Sequence, residues 1–135
     1  MSLLLAEDNL PDALLIREAI KREGLPVEVH IVPDGERAVD FIARAGQHPD
    51  LPLPHVLLLD LNLPKIDGFE VLRRIRANEK CKHIPVIVVT SSDSPEDRNT
   101  AAQLGASYFR KPTSYEEFLK IGAVLRRVLE ESDLL

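Results

Sequence analysis

The sequence predicts an α/β fold, a (βα)5 doubly wound domain in which a five-stranded parallel sheet lies between two layers of helices. Three observations carry the prediction. Short aliphatic runs alternate with stretches of helical spacing, five times along the chain. Two of these runs, Val56-Leu57-Leu58-Leu59 and Val86-Ile87-Val88-Val89, are unbroken by polar residues, as in strands covered on both faces. The 135 residues, 44% hydrophobic and 29% charged, suit one globular domain with a core that needs no staples.

Leu3-Leu4-Leu5-Ala6 is the first strand, stopped by Glu7-Asp8. Asn9, Pro11 and Asp12 then give a cap, a first-turn proline and an acid near the positive helix end. Ala13, Ile16 and Ile20 continue that helix to Gly24. Val27, Val29 and Ile31 alternate with Glu28, His30 and Val32, a period-two strand suited to a sheet edge. After Pro33-Asp34-Gly35, Ala38, Phe41, Ile42 and Ala45 mark the second helix. Gln47 to Pro54, with Pro49, Pro52 and Pro54, reads as a stiffened extended loop. The third strand, Val56 to Leu59, ends at Asp60, and Asp67 with Glu70 opens a third helix carried by Phe69, Leu72 and Ile75. Pro85 to Thr90 is a β-branched fourth strand. Ser94, Pro95 and Asp97 start a fourth helix with Ala101, Ala102 and Leu104 as its apolar face. Ser107 to Arg110 is a short fifth strand, and Ser114 with Glu117 caps one long last helix through Phe118, Ile121, Leu125 and Leu129.

Composition excludes several classes. A net charge of −5 argues against a general nucleic-acid binder. One cysteine, Cys81, rules out an internal disulfide or a cysteine-based zinc site. No apolar run reaches the ~20 residues of a membrane span, and Met1 to Asp8 lacks the flank and length of a signal peptide. The expectation is a cytoplasmic single domain over residues 1–135, with no separate effector domain, no nucleic acid and no membrane contact.

Ligands of open α/β sheets bind beyond the carboxyl ends of the strands. Here those ends carry Glu7 and Asp8, then Asp60 and Asn62, then Thr90 and Ser91, then Lys111, while the second strand contributes nothing. Three clustered carboxylates repel and need a cation, and Mg²⁺ fits best because it prefers oxygen ligands and shares its sites with phosphate. A lysine beside such a metal is useful when a further anion arrives. A phosphoryl group meets that condition, and its transfer asks mainly for placement and charge. The plausible nucleophile is Asp60, giving an aspartyl phosphate.

These pieces, Glu7-Asp8, then Leu58-Leu59-Asp60-Leu61-Asn62-Leu63-Pro64 running into Asp67-Gly68-Phe69-Glu70, then Val88-Val89-Thr90-Ser91, then Tyr108-Phe109-Arg110-Lys111-Pro112, resemble the receiver domains of two-component response regulators from end to end. The resemblance implies a flavodoxin-like sheet of order 2-1-3-4-5. It implies that Asp60 accepts a phosphoryl group from a phosphohistidine of a sensor histidine kinase, in a phosphorelay. Asp8, the Asp60 side chain and the Asn62 carbonyl would bind Mg²⁺, with Glu7 holding a metal-bound water. Thr90 and Lys111 would bind phosphoryl oxygens. Thr90 and Tyr108 would act as the switch that couples phosphorylation to the surface of the fourth helix, fifth strand and fifth helix. Receivers often self-associate there, so a homodimer through that surface is expected. The proline-rich loop and the expected lack of an effector domain are similar to the stand-alone regulators that serve bacterial phytochromes. Thr113 departs from the pattern, since many receivers have Phe after Lys-Pro.

Two other functions compete. Haloacid-dehalogenase-like phosphatases also place an Asp nucleophile after a buried strand, but want a second acid where Asn62 stands and carry a cap domain. A phosphorylation-independent binding module would not need the full set of site residues. Elsewhere the expectations are plain. His30 is a surface histidine, Arg73, Arg74, Arg76, Lys80 and Lys82 form a solvated basic face or a kinase-docking patch, and Cys81 lies in a loop without a role. Tyr108 and Phe109 point to opposite faces, and only the family pattern says which packs inward.

Overall fold

The computed structural model describes residues 1–47, 50 and 52–135. Five parallel strands, β1 (Ser2–Ala6), β2 (Glu28–Val32), β3 (Val56–Leu59), β4 (Val86–Thr90) and β5 (Ser107–Arg110), pair in the order β2-β1-β3-β4-β5. The predicted strand order and doubly wound class therefore hold. Strands β1, β3 and β4 are buried along their whole length, and the edge strands β2 and β5 are not.

The alternation of the strands feeds two cores. Leu3, Leu5, Val56, Leu58, Ile87 and Val89 face one side. Helices α1 (Leu10–Glu23) and α6 (Ile121–Glu131) cover them through Ile16, Ile20, Ile121 and Leu125. Leu4, Ala6, Leu57, Leu59, Val86 and Val88 face the other side. There α2 (Gly35–Arg44), α3 (Gly68–Ala77) and α4 (Pro95–Gln103) lie over them. Each fully buried aliphatic side chain contributes about 1.5–3 kcal/mol, so the central strands anchor the loops at their ends.

The starts of α1, α3 and α4 follow the predicted caps, and Asp34, expected only in a turn, caps α2. Asn9 accepts from the Asp12 N–H at 3.1 Å, Asp34 from Arg37 at 2.7 Å, Asp67 from Glu70 at 3.1 Å, and Ser94 from Asp97 at 3.3 Å. Gly24 closes α1 with a left-handed φ of 69°.

Two expectations need correction. The last helix is not continuous. A four-residue turn α5 (Tyr115–Phe118) precedes α6, and Leu119-Lys120 tighten between them, with the Gly122 N–H donating to the Leu119 carbonyl at 3.2 Å. Phe118 and Ile121 are both buried, so the turn keeps the apolar face continuous across the break. On α4 only Ala101 is buried, whereas Ala102 is exposed and Leu104 is half-buried at the helix end. In the proline-rich loop Pro52 and Pro54 lie outside any helix or strand, and Pro49 falls outside the described residues.

Gly122 sets the approach of α6 to α1. A Cβ at this position would stand 2.8 Å from the Ala19 carbonyl oxygen, backbone that cannot turn aside. Gly122→Val should therefore force the two helices apart and cost about 1–3 kcal/mol by overpacking. Urea unfolding should show a lower midpoint with an unchanged slope.

Candidate functional site

The carboxyl ends of β1, β3, β4 and β5 deliver the site. The Asp60 N–H donates to the Ala6 carbonyl at 3.0 Å and that of Glu7 to Val32 at 3.0 Å, so both acids leave the sheet directly from paired backbone. Glu7 is 3% and Asp60 5% exposed, and Thr90 at the end of β4 is fully buried. Asp8 and the Asn62 side chain face outward. The Lys111 N–H donates to the Thr90 carbonyl at 2.7 Å, which continues the β4–β5 pairing and aims the lysine inward.

Local backbone fixes the loop after β3. The Asn62 N–H donates to Asp60 Oδ1 at 2.9 Å, and the Gly68 N–H to the Leu61 carbonyl at 3.0 Å. Gly68 is needed there, because a Cβ would run into the Asp60 carbonyl. From the far side the Gly35 N–H donates to the Pro64 carbonyl at 3.1 Å, tying this loop to the start of α2.

At the centre stands the Lys111 ammonium. It lies 2.7 Å from Asp60 Oδ2, 2.6 Å from Glu7 Oε1 and 2.9 Å from Asp12 Oδ2, with its side chain only 9% exposed. The contact to Glu7 has ion-pair distance but not hydrogen-bond direction, so Glu7 Oε1 is a buried oxygen without a hydrogen bond. Glu7, Asp8 and Asp60 each offer an oxygen within 4.8 Å of one another. An orphaned buried oxygen beside two further carboxylates is a donor set that fits a hard divalent cation.

Burial, aided by a hydrogen bond with Asp60 and opposed by Lys111, pushes the Glu7 carboxyl up to about 8. Burial opposes ionisation of Asp60 too, but Glu7, Lys111 and the Asn62 N–H outweigh it and hold its carboxyl below the usual range. Burial likewise disfavours the Lys111 ammonium, yet Asp60, Glu7 and Asp12 raise its pKa. At neutral pH the two buried acids thus carry one proton between them, on Glu7, and Lys111 is charged.

The structure brings Glu7, Asp8, Asp60 and Lys111 together, with the Asn62 backbone on Asp60. Thr90 Oγ1 accepts from the Ser92 N–H at 3.3 Å, and the Tyr108 hydroxyl donates to the Ser92 carbonyl at 2.7 Å. Phe109 packs on Phe118 with centroids 6.3 Å apart, while Tyr108 lies on the other face of the sheet. The Arg98 guanidinium covers the Tyr108 ring at 4.5 Å and is held by Asp93 at 2.8 Å. Thr113 lines a groove of about 440 Å³ with Asp12, Ser91 and Lys111, so the departure from the family pattern faces the flank of the site.

Sequence reasoning missed Asp12 at the site, having read it only as a first-turn acid. Two side expectations also change, those for Arg76 and His30, while Cys81 lies in a turn as expected. Arg76 is no part of a solvated face: its guanidinium donates to the carbonyls of Leu104 at 2.8 Å, Ile84 at 2.7 Å and Lys82 at 3.1 Å, which binds α3 to the end of α4. Cys81 is fully buried in the second core. His30 is half-buried against Phe41, centroids 5.7 Å apart. No helix among the described residues is long and apolar enough to cross a membrane.

Fold and site together define a phosphoacceptor-type signalling domain, and the comparisons with known proteins agree. The sequence pattern of the response regulator receiver domain matches residues 3–122, so the chain belongs to that family. The chain is 39% identical over 130 residues to the probable methanogenesis regulatory protein FilR2 of Methanothrix harundinacea, covering 96% of this chain and 79% of FilR2. It is 37% identical over 120 residues to response regulator Rcp1 of Synechocystis sp., covering 88% of this chain and 82% of Rcp1. The Mn²⁺-bound crystal structure of Rcp1 superposes with a TM-score of 0.84 at 35% identity, covering 93% of this chain and 91% of that one. The phosphorylated cyanobacterial phytochrome response regulator RcpA gives the same TM-score, 0.84, at 34% identity and the same coverage, 93% and 91%. Receiver domains are signalling modules of two-component systems, phosphorylated by histidine kinases, and the family match leaves the phosphatase alternative without support.

The raised Glu7 carboxyl makes a pH-dependent difference measurable. Its folded value, about 8, exceeds the unfolded 4.5, so its contribution to stability is fully present below 4.5 and lost as pH rises through about 8. Asp60 acts in the opposite sense, its contribution being lost in acid. Glu7→Gln stays neutral throughout. In chelator, thermal melts should show wild type falling relative to Glu7→Gln from about pH 4.5 to about pH 8. A gap independent of pH would contradict the shared proton.

Proposed function

We propose that this chain is a stand-alone response regulator that takes a phosphoryl group from a sensor histidine kinase onto Asp60, in the cytoplasm, and signals through its own surface. The observation that carries the reading is the buried Asp60 carboxylate, 2.7 Å from Lys111 and beside Glu7 and Asp8. A phytochrome-type kinase is supported by the likeness to Rcp1 and to the phytochrome response regulator RcpA.

An Asp60 oxygen attacks the phosphorus of the kinase phosphohistidine. The new P–O bond forms as the P–N bond breaks, and the imidazole leaves with the bonding pair and takes up a proton. Mg²⁺, when bound, supplies positive charge to the transferring group. Asp8, the Asp60 side chain and the Asn62 carbonyl would hold it, with Glu7 on a bound water. Lys111 would turn from Asp60 to a phosphoryl oxygen, and the Thr90 hydroxyl would donate to another.

The output rests on Ser92. Its N–H bonds Thr90 and its carbonyl accepts from Tyr108. Drawing Thr90 toward the phosphoryl group removes the acceptor of that N–H and favours a second packing in which Tyr108 turns inward. A population shift of this kind carries about 1–3 kcal/mol. The affected face is α4, β5 and the last helix, where a symmetric dimer is the proposed outcome.

Acetyl phosphate with Mg²⁺ should add one phosphoryl mass to wild type and none to Asp60→Asn. Asp8→Ala should weaken Mg²⁺ binding, and Lys111→Ala should keep it. Modification at another residue, or equal Mg²⁺ affinity in all three, would sink the assignment.

Sedimentation with beryllofluoride should reveal more dimer than without it. Arg98→Ala, which uncovers the Tyr108 ring, should shift the unphosphorylated chain toward dimer by about two- to fivefold, the worth of an exposed cation–π contact. A dimer that survives charge substitutions at Ala102 and Tyr108 would move the interface elsewhere.

A further inference from the structure

We infer that Asp12 is the positioning residue of Lys111: its carboxylate keeps one N–H of the ammonium while the N–H now on Asp60 passes to the phosphoryl group. The inference rests on the phosphoryl-accepting reading of Asp60.

An ammonium has three donors. In this structure one donates to Asp60 at 2.7 Å and one to Asp12 at 2.9 Å, while Glu7 stands at ion-pair distance, 2.6 Å. Two of these, Glu7 and Asp60, belong to the oxygen cluster that fits a cation, and Asp12 does not. A cation and a phosphoryl group would claim the oxygens of Glu7 and Asp60. Asp12 is then the one partner Lys111 keeps. The two residues come from opposite ends of the chain, 99 positions apart, so the contact ties the first turn of α1 to the end of β5.

Asp12 is well placed to hold. Its N–H donates to the Asn9 cap at 3.1 Å, and Pro11 stiffens the turn before it. Its side chain is 22% exposed, reachable by water yet sheltered enough for a charge-assisted bond to matter. Lysine has a long flexible stem and a point charge, so an ammonium without a fixed anchor explores many positions. Fixing it removes that freedom before transfer begins.

Two measurements test this. In metal-free chain, labelling of lysines with an amine-reactive reagent, followed by mass spectrometry, should be slow at Lys111. Asp12→Ala should label several-fold faster at Lys111 with the other lysines unchanged. Asp12→Asn, whose amide oxygen still accepts, should stay near wild type. With Mg²⁺ and acetyl phosphate, Asp12→Ala should lower the saturating rate of phosphorylation about tenfold, with Mg²⁺ affinity held within about twofold. Wild-type labelling and rate in Asp12→Ala would overturn the inference. So would equal changes in Asp12→Ala and Asp12→Asn, which would reduce Asp12 to a charge. If Asp12→Ala unfolds, labelling rises at every lysine and the Asn variant decides: slow labelling at Lys111, as its accepting amide oxygen requires, upholds the anchor, and fast labelling refutes it. A wild type that takes no phosphoryl group refutes the Asp60 reading instead, while the labelling still judges Asp12.

Discussion

The arrangement turns on one buried cation held among acids. Lys111 is 9% exposed and touches Glu7, Asp12 and Asp60. Removing charges from water is costly, and an ion cluster of this kind persists only where each charge has partners and the backbone cannot relax away. The sheet supplies that rigidity. Asp60 and Glu7 are fixed by ladder bonds to Ala6 and Val32, and Lys111 by one to Thr90. The ends of β1, β3 and β5 therefore set the distances within the cluster before any side chain chooses a rotamer. The price of crowding is a proton: Glu7 retains one because burial and Asp60 disfavour a second negative charge beside it.

That rigidity comes from the two-sided core. Leu57 and Leu59 pack under α2 and α3, Val56 and Leu58 under α1 and α6, so β3 is clamped from both layers and its end cannot drift. The loops are treated differently. Gly68 allows α3 to start against the Asp60 carbonyl, and Gly35 donates to Pro64, so the segment bearing Asn62 is pinned at two points. On the other side α4 buries only Ala101. The least anchored helix stands beside Ser92 and Tyr108, where the proposed output needs mobility.

What the sequence disclosed follows from range. Strands β3 and β4 were legible because their solid aliphatic runs encode burial locally, and the caps of α1, α3 and α4 because a cap lies within three residues of its partner. Glu7, Asp8, Asp60 and Lys111 were legible because they sit at strand ends, and strand ends are readable once the strands are. Asp12 was not, since its meaning depends on a lysine 99 residues away and its local reading as a first-turn acid was already sufficient. Arg76 misled for the same reason: among neighbouring arginines it looks solvated, yet its acceptors at Leu104 and Gly105 lie 28 and 29 residues on. The break before Ile121 was not legible, because Phe118, Ile121, Leu125 and Leu129 keep the three- and four-residue spacing of one continuous helical face.

The two halves of the molecule meet in Ser92. Its N–H donates to Thr90, buried at the end of β4, and its carbonyl accepts from Tyr108, which lies under Arg98 of α4. Its hydroxyl donates to Asp97 at 2.6 Å and accepts from Ser94 at 3.2 Å, so the residue is also built into the start of α4. The N–H and the carbonyl belong to the peptide units on either side of the Ser92 Cα, so a change in the backbone torsions of this one residue on the Thr90 side is felt next at the carbonyl that holds Tyr108. Arg98 biases the same equilibrium from outside, its guanidinium lying on the Tyr108 ring and tied to Asp93. On the proposed reading the phosphoryl group therefore needs no long path through the domain: one loop residue separates the chemistry from the surface, and the strength of the response is set by how firmly Arg98 holds the ring in place.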